Sequence, residues 1–398
     1  MRRAAIVNPV RTAVGAYGGS LKDVPVEDLA ATVVKEVMQR SDVDPALIED
    51  VVFAQSYPNG ETPCLGRWVA MHANLPTETP GMQLDRRCAG GLMSIVTGAM
   101  MVQSGAADVV IAGGAESMSR IEHYTTGARW GTRAGGMMLH DRLDRGRERS
   151  QPVWRYGEIS GMIETADILA AQQGVTREEA DEYSVRSHQR AVEAWEAGRF
   201  DDEVVPVEVP QRKGDPIQFA KDEGIRPGTT MESLAKLRVL RKDGVVTAGN
   251  ASQQNDAAAA CLIVAEDKLD ELGLTPMGFL HSWSAVGCEP GTMGWGPVPA
   301  VQKLFGKNGL SWDDIDLVEL NEAFAAQVLA VLKGWEWNDP EKLNVNGGGI
   351  SLGHPIAATG VRIMTSLLHE MQRRDAKYGL ETMCVGSGQG MAAVFERA

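Results

Sequence analysis

One cysteine occupies a position where a thiol could act as a nucleophile. Cys88 lies between an apparent short strand and the first turn of an apparent helix that Gly105 ends. The positive partial charge at a helix N-terminus favours the thiolate, and Arg86 and Arg87 would strengthen that field if they point inward. The local residues leave a second reading open, in which Cys88 is a small buried core residue.

A histidine follows a glycine-rich segment in the C-terminal part of the chain. Residues 343–346 are read as a strand that ends in a glycine-rich turn, with His354 at the start of a helix and Pro355 at its first position. An imidazole there is suited to act as a proton donor or a base. A dinucleotide-binding loop is disfavoured because the spacing is not Gly-x-Gly-x-x-Gly, and a structural histidine remains an alternative.

Two further segments offer a second thiol and hydrogen-bond donors. Cys384 and Gly386 lie in a run of alternating glycines after an apparent strand, so Cys384 could transfer a proton and the N–H of Gly386 could stabilise an oxyanion. A plain glycine-rich turn is the alternative for this segment. Asn321 follows a strand over 317–320 and is placed either to cap a helix beginning at Ala323 or to hold a water.

Positioning such residues requires a framework that brings distant segments together. Short β-branched strands alternate with longer helices up to about residue 117, and the same alternation returns near residue 317, which predicts βαβ units around a buried, mostly parallel sheet. Residues 120–248 are richer in charged and aromatic residues and contain an amphipathic helix over 177–197, so we interpret them as an insertion over the core. The similar order of elements suggests two copies of one α/β unit.

The composition sets limits on the class of protein. The chain has 398 residues, of which 43% are hydrophobic, and this length predicts two or three domains. Its net charge of −14 argues against non-specific binding to nucleic acid or to an anionic membrane. The sequence shows no signal peptide or membrane span, and its five scattered cysteines indicate free thiols in a reducing compartment. We therefore expect a cytoplasmic protein without a metal site.

Taken together and in this order, the motifs resemble the thiolase family over nearly the whole chain. They are the block around Cys88, Gly-Asn-Ala-Ser at 249–252, Asn-Glu-Ala-Phe at 321–324, Gly-His-Pro at 353–355 and Cys-x-Gly-x-Gly-x-Gly at 384–390. The resemblance implies an α/β thiolase fold, in which duplicated halves form a five-layer α-β-α-β-α arrangement with an inserted loop domain. The implied domains are an N-terminal core half (1–119 plus 249–273), a loop domain over the coenzyme A site (120–248) and a C-terminal core half (274–398). It also implies a homodimer or homotetramer.

The resemblance implies a reaction as well. An acyltransferase of this family cleaves a 3-ketoacyl-CoA with coenzyme A to acetyl-CoA and a shortened acyl-CoA, as in fatty acid β-oxidation, or runs the reverse Claisen condensation. Coenzyme A and acyl-CoA are substrates, and no cofactor is permanently bound. An acyl-cysteine intermediate divides the reaction into two steps and predicts ping-pong kinetics.

Individual residues of this chain match functional residues of the family. Cys88 matches the acylated nucleophile, His354 the histidine that activates it, and Cys384 the thiol that exchanges a proton with the substrate. His354 and a water held by Asn321 match one oxyanion hole, and the backbone amides of Cys88 and Gly386 match the other.

The match also includes residues that bind the substrates. Arg226 corresponds to a residue at the nucleotide end of coenzyme A. The residues that correspond to the pantetheine tunnel are Ser233, Ala248 and Ser252. Those that correspond to the acyl pocket are Met162, Met293 and Phe324.

The sequence departs from the usual family pattern near the substrate. The nucleophile block has Gly90 where a serine is usual, Gly161 stands where acetoacetyl-specific relatives carry histidine, and Trp295 replaces a smaller residue. These changes leave the acyl group open and favour something other than acetoacetyl-CoA. Two rival functions are a decarboxylating ketoacyl synthase on the same fold, which Cys384 disfavours, and a non-catalytic acyl-CoA or lipid carrier, which the complete Cys88, His354 and Cys384 set disfavours.

Overall fold

The N-terminal part of the chain forms one α/β unit. The computed structural model describes residues 2–398. The elements before the insertion are β1 (Ala4–Thr12), β2 (Gly15–Ala16), α1 (Val26–Ser41), β3 (Asp50–Ala54), α2 (Leu65–His72), β4 (Met82–Leu84), α3 (Gly90–Ser104) and β5 (Val109–Ser117). Gly105 ends α3 in the left-handed conformation, with φ of 74°, as the sequence predicts.

The insertion between β5 and the next core strand is mainly helical. Its elements are β6 (His123–Tyr124), β7 (His140–Asp141), α4 (Arg142–Glu148), α5 (Val153–Tyr156), α6 (Met162–Gln173), α7 (Arg177–Glu196), β8 (Val204–Val205), β9 (Val207–Val209), β10 (Ile217–Phe219) and α8 (Met231–Ala235). The predicted amphipathic helix is confirmed as α7. It begins at a capping box in which Thr176 and Glu179 each accept the other's backbone N–H.

The C-terminal part of the chain first completes the N-terminal unit and then repeats it. Its elements are β11 (Asn255–Ala265), α9 (Leu269–Leu272), β12 (Gly278–Gly287), α10 (Pro297–Asn308), β13 (Leu317–Leu320), α11 (Ala325–Trp335), α12 (Thr359–Arg374), β14 (Tyr378–Val385) and β15 (Gln389–Arg397). No helix within residues 2–398 combines the length and the apolar character needed to cross a membrane.

The strand order shows the duplication directly. The N-terminal sheet runs β1-β11-β5-β3-β4 and the C-terminal sheet runs β12-β15-β14-β13, so the two halves place corresponding strands in the same order. The two sheets are joined where β1 pairs with β12 at Ala5–Phe279 and Ile6–Gly278. A sequence repeat too diverged to detect by residue identity is therefore evident in the topology.

The expectation of a mostly parallel sheet is wrong. The central strands β1, β11 and β5 pair antiparallel, as do β12, β15 and β14. Parallel pairs join β3 to β4 and β5, β13 to β14, and β1 to the short β8. Because helices cover both faces of each sheet, its strands are apolar throughout, and such runs look alike whichever way the neighbouring strand points.

Three hydrophobic cores pack layers of helices against the two sheets, which gives five layers in all. One core packs α1 and α2 against the outer face of the N-terminal sheet. The second, with Leu92 and Val361 among its members, packs α3 and α12 between the sheets. The third packs α10 and α11 against the outer face of the C-terminal sheet. The α-β-α-β-α arrangement is confirmed.

The predicted strand over 343–346 is wrong. Only isolated bridges form there, from Leu343 to Val318 and from Val345 to Gly347. Asn344 has a φ of 46°, which breaks the extended conformation. Its side chain replaces the missing backbone pairing, because its Oδ1 accepts from the N–H of Leu320 and its Nδ2 donates to the carbonyl of Leu320.

Two predicted helix starts lie too early. The helix expected from Ala323 begins at Ala325. The helix expected at His354 begins at Thr359, and Pro355 lies in the preceding turn, where its carbonyl accepts from the N–H groups of Ala358 and Thr359. His354 is therefore carried by a turn.

Candidate active site

A single cavity of about 640 Å³ collects most of the predicted site residues. Those that line it are Cys88, Met162, Ala248, Ser252, Met293, Phe324, His354 and Gly386. They come from both core halves and from the insertion, so the site exists only in the complete fold. Cys384, Asn321, Arg226 and Ser233 are not among the lining residues.

Cys88 lies in a tight turn at the entrance to α3. The turn spans Arg87–Ala89, and Asp85 accepts the N–H of Arg87 at 2.7 Å. Burial raises the pKa of the Cys88 thiol, while hydrogen bonds from the N–H groups of Gly386 and of Cys88 itself, and the charge of Arg87, lower it. The backbone N–H of Cys88 favours the thiolate, as a position at the start of a helix predicts, but burial outweighs this effect and the pKa is raised overall.

These two N–H groups define a small site for negative charge. The backbone N–H of Gly386 follows β14, and that of Cys88 precedes α3, so each is held by a separate core half. Both act on the Cys88 sulfur, because each lowers the pKa of its thiol. Two N–H groups that converge on a nucleophile can also stabilise an oxyanion formed at the carbon it attacks.

Two polar contacts hold His354 in place, one through its backbone N–H and one through its imidazole ring. Its backbone N–H donates to Oδ1 of Asn255 at 2.8 Å, and its Nδ1 lies 2.7 Å from Oγ1 of Thr359. Burial, followed by the charges of Arg362 and Arg147, lowers the pKa of His354 to about 3. The imidazole is therefore neutral at physiological pH, as a general base requires.

Cys384 lies immediately behind the cavity wall. It is fully buried in β14 and belongs to an apolar cluster with Met293 and Phe324. Burial raises the pKa of its thiol well above the usual value, and the neighbouring Cys88 and Cys288 raise it further. Cys384 is thus a protonated thiol next to Cys88. All five cysteines are free thiols.

Asn321 does not cap a helix. The chain continues for three residues before α11, and the first N–H of that helix, from Ala325, donates to the carbonyl of Asn250. The Asn321 side chain is buried, and within residues 2–398 neither Oδ1 nor Nδ2 has a hydrogen-bond partner. A buried amide of this kind is suited to hold a polar atom of a ligand or a water.

The four residues matched to coenzyme A binding occupy different environments. Ala248 and Ser252 line the cavity. Ser233 forms the capping box of α8 with Thr230. Arg226 is exposed, and its Nη1 donates to the carbonyl of Glu223 at 2.7 Å.

Three matched apolar residues form one wall of the cavity. Met293 and Phe324 are 3% and 7% exposed and pack in one cluster, with Met162 against it. Gly161, which precedes Met162, has a φ of 145°, and a Cβ there would lie 3.9 Å from Cβ of Arg147. A side chain at this position would therefore be strained and would point toward Arg147.

A buried carboxylate was missed by the sequence reasoning. Glu116, at the end of β5, accepts the N–H groups of Ser56 at 3.1 Å, Tyr57 at 3.2 Å and Ala357 at 3.3 Å. Ser56 in turn donates from Oγ to the carbonyl of Arg87 at 3.1 Å. One side chain thus links the turn before Cys88 to the turn after His354.

The sequence reasoning also missed polar residues that line the cavity. Tyr57, Arg147 and Arg241 are among them. Each lies in a segment without a recognisable motif, so position in the fold is the property that identifies them. Within residues 2–398, no three His, Cys, Asp or Glu side chains come together in a way that could hold a metal ion.

Two protein-family models together match almost the full chain. The model of the thiolase N-terminal domain matches residues 4–267, and that of the thiolase C-terminal domain matches residues 274–397. The chain belongs to the thiolase family.

Individual relatives are similar over their whole lengths. The acetyl-CoA acetyltransferase of Chromobacterium violaceum is 46% identical over 395 residues, which cover 99% of each chain. The crystal structure of the Bacillus anthracis acetyl-CoA acetyltransferase matches with a TM-score of 0.96 at 40% identity, covering 100% of this chain and 99% of that one. Human mitochondrial 3-ketoacyl-CoA thiolase in complex with CoA matches with a TM-score of 0.93 at 39% identity, covering 100% and 98%.

Proposed function

We propose that this protein is a thiolase that cleaves a 3-ketoacyl-CoA with coenzyme A, or forms one by the reverse condensation. The observation that carries the proposal is the convergence of a half-buried thiol, a neutral histidine and the N–H of Gly386 on one cavity. Relatives named acetyl-CoA acetyltransferase and 3-ketoacyl-CoA thiolase support it.

The first half-reaction is assigned to Cys88 and His354, which line the same cavity. Because the pKa of Cys88 is raised, the thiol is protonated near neutral pH and needs a base, and neutral His354 accepts its proton. The sulfur attacks the 3-keto carbon, and the N–H groups of Cys88 and Gly386 hold the resulting oxyanion. The bond between carbons 2 and 3 then breaks, which leaves an acyl-Cys88 and the enolate of acetyl-CoA.

The second thiol completes the proton transfers. Cys384 gives its proton to carbon 2 of the enolate, whose oxygen is held by His354 and a water on Asn321. Free coenzyme A then gives its thiol proton to Cys384 and attacks the acyl-Cys88, which releases the shortened acyl-CoA and the Cys88 thiolate. His354 returns its proton to this thiolate. A raised pKa suits this role, because a weakly acidic thiol returns readily to its protonated form.

We assign coenzyme A to the cavity opening on the side of the insertion. Ala248 and Ser252 would line the pantetheine arm, and Arg226 would meet the nucleotide. Ser233 would act through α8, since its hydroxyl is engaged in the helix cap. Residues 120–248 would form a loop domain over this opening, between core halves at 1–119 plus 249–273 and 274–398.

We also propose a homodimer or homotetramer that works in the cytoplasm and binds no nucleic acid. The short strand β4 lies at the end of the sheet, and Met82 on it and Trp68 and Met71 on α2 are exposed. An open sheet edge flanked by apolar side chains favours association with another chain. Light scattering of the purified protein would contradict this proposal if it gave the mass of one chain.

A thiolysis assay tests the proposed reaction. Loss of 3-ketoacyl-CoA absorbance is followed with free coenzyme A for acetoacetyl-CoA and longer chains, in the wild type and in Cys88→Ala. We expect turnover that disappears in the variant and a trapped acyl group on Cys88 by mass spectrometry. Turnover by Cys88→Ala would contradict the role of the nucleophile. Binding of coenzyme A without any turnover would instead identify a carrier.

A further inference from the structure

We propose that this enzyme acts on 3-ketoacyl-CoA thioesters whose acyl chain ends in a carboxylate, and that Arg147 and Tyr57 bind this carboxylate. The inference rests on the proposed function, because it concerns the acyl part of the same cavity. It gives the substrate class that the apolar residues of the pocket leave open.

Arg147 brings a cation into the reaction cavity. It lies on α4 of the insertion and lines the cavity together with Cys88 and His354. The side chain is only 27% exposed. The residue before it, Gly146, packs on Tyr57, since a Cβ at Gly146 would lie 3.0 Å from Cε1 of Tyr57. Arg147 therefore lies on the part of the cavity wall that contains Tyr57.

The charge of Arg147 is only weakly compensated by the protein. Asp144, one turn earlier on α4, approaches its Nη1 at 3.3 Å but is 67% exposed, so its charge is largely screened by solvent. Arg241 lines the same cavity and differs, because its Nη1 lies 2.8 Å from Oε2 of Glu164, which is 20% exposed. Glu148 also lines the cavity, and it is exposed. An anionic ligand would therefore gain more from Arg147 than from Arg241.

Tyr57 supplies a second donor at the same place. It is 8% exposed and lines the cavity, and burial raises the pKa of its hydroxyl, which keeps the hydroxyl protonated. Gly146 on α4 makes room for its ring, since a Cβ there would lie 3.0 Å from Cε1 and 3.5 Å from the hydroxyl oxygen. A guanidinium and a phenol on the same part of the cavity wall can match the two oxygens of a carboxylate.

The phosphates of coenzyme A cannot be the anion at this spot during the reaction. With the 3-keto carbon at Cys88, the whole pantetheine arm separates the thioester sulfur from the nucleotide. A cation that lines the same cavity as Cys88 and His354 is therefore within reach of the acyl chain. Gly161 lies beside the Cβ of Arg147 and has no side chain that would fill the cavity there.

Two substrates of equal length test the inference. 3-Oxoadipyl-CoA ends in a carboxylate and yields acetyl-CoA and succinyl-CoA, whereas 3-oxohexanoyl-CoA ends in a methyl group and yields acetyl-CoA and butyryl-CoA. We expect the wild type to have the higher kcat/KM on the carboxylate substrate. In Arg147→Met the ratio of the two kcat/KM values should fall by about 10- to 100-fold, the range for hydrogen bonds to a charged group.

Three further variants separate charge from structure. Arg147→Lys should lower the ratio of the two kcat/KM values less than Arg147→Met does, because lysine retains the positive charge. Tyr57→Phe should also lower this ratio less than Arg147→Met. Arg241→Met is the matched control, and its ratio should stay at the wild-type value. An equal or higher kcat/KM on the methyl-ended substrate in the wild type would overturn the inference. So would an unchanged ratio in Arg147→Met, or a change confined to the KM for coenzyme A.

Failure of the inference and failure of the proposed function give different results. A wild type that turns over 3-oxohexanoyl-CoA without preferring the carboxylate is a thiolase of another specificity. A wild type that turns over neither substrate, nor acetoacetyl-CoA, contradicts the proposed function and the inference with it.

Discussion

At the scale of single residues, Glu116 has the widest influence on the site. Its carboxylate accepts three backbone N–H groups from two separate turns, and burial raises its pKa to about 7. Protonation replaces one acceptor position with a donor and so weakens this clamp. The segment with Ser56 and Tyr57 contacts the Cys88 turn through the hydrogen bond from Ser56 Oγ to the carbonyl of Arg87, and Ala357 lies in the turn after His354. The ionised form of Glu116 should therefore hold these two turns at their working separation.

This arrangement predicts opposite effects of pH on activity and on stability. As pH falls through about 7, Glu116 takes up a proton and kcat should fall. Its contribution to stability changes the other way: the folded pKa lies above the ordinary value, so the contribution is full below about pH 4.5 and is lost as pH rises through about 7. Profiles of kcat and of thermal unfolding against pH measure both.

The variant Glu116→Gln isolates this group from other titrating residues. The glutamine keeps the size of the side chain but cannot ionise. The kcat of the variant should therefore be lower than that of the wild type at pH 8, and its pH profile should lack the fall near pH 7. KM for both substrates should change little, since Glu116 contacts backbone and not ligand. A variant profile that keeps the fall near pH 7 would show that another group produces it.

The sequence predicts part of the site and misses part of it for a physical reason. His354 follows a glycine-rich segment, Gly386 lies within one, and Cys88 precedes Gly90 and Gly91, and the structure brings all three residues to one cavity. Such glycines are a local signal of close backbone approach. Glu116 and Arg147 have no such signal. The N–H donors to Glu116 lie up to 241 residues away in the chain, so only the fold reveals its role.

At the scale of secondary structure, the site depends on the close packing of α3 against α12. A Cβ at Gly360 on α12 would lie 2.2 Å from the backbone nitrogen of Leu92, and one at Gly91 would lie 2.7 Å from the carbonyl oxygen of Ala357. Contacts this short leave no room for a methyl group. The two helices therefore carry Cys88 and the turn of His354 to each other only because both positions are glycine.

We predict that Gly360→Ala separates these helices. Overpacking of this kind costs about 1–3 kcal/mol of stability, and kcat should fall with it because the thiol and the imidazole move apart. Thermal unfolding and thiolysis measured on the same preparation check both effects.

A second glycine gives a matched control. Gly306 lies inside α10, where a Cβ would meet nothing within 4 Å. Gly306→Ala should stabilise the protein by about 0.5–1 kcal/mol through helix propensity and should leave kcat unchanged. Equal unfolding temperatures for the two variants would contradict the role of the close approach.

The elements themselves were predictable to different degrees. α7 was predicted within one residue at its C-terminus because its amphipathic pattern and its N-terminal cap are both local. The segment 343–346 was not, because Asn344 takes the left-handed conformation and pairs with Leu320 through its side chain, a long-range interaction that apolar periodicity does not report.

At the scale of the whole molecule, one buried arginine joins three parts of the fold. Arg11 on β1 is 1% exposed, and it lies 2.6 Å from Glu203 and 2.8 Å from Asp222 of the insertion. Glu203 also accepts from Ser366 on α12 at 2.8 Å. Asp222 precedes the segment that carries Arg226, so this buried ion cluster anchors the region we assign to coenzyme A.

The variant Arg11→Met should therefore destabilise the protein and weaken coenzyme A binding together. Removal of the arginine leaves Glu203 and Asp222 buried without their cation, which costs about 3–5 kcal/mol. We expect a large fall in unfolding temperature, faster hydrogen exchange over residues 199–226 and a higher KM for coenzyme A than for the ketoacyl-CoA.

A surface arginine that also pairs with two carboxylates is a control for the effect of burial on the loss of stability. Arg2 also bonds two carboxylates, Asp267 at 2.9 Å and Asp108 at 2.8 Å, but it is 29% exposed and they are 62% and 43% exposed. The pKa of each arginine is raised, yet solvent screens the pairs of Arg2, so Arg2→Met should lower the unfolding temperature far less than Arg11→Met. Similar losses of stability in the two variants would mean that the number of ion pairs matters and burial does not. A KM for coenzyme A that stays unchanged in Arg11→Met would show that the insertion holds its position without this anchor.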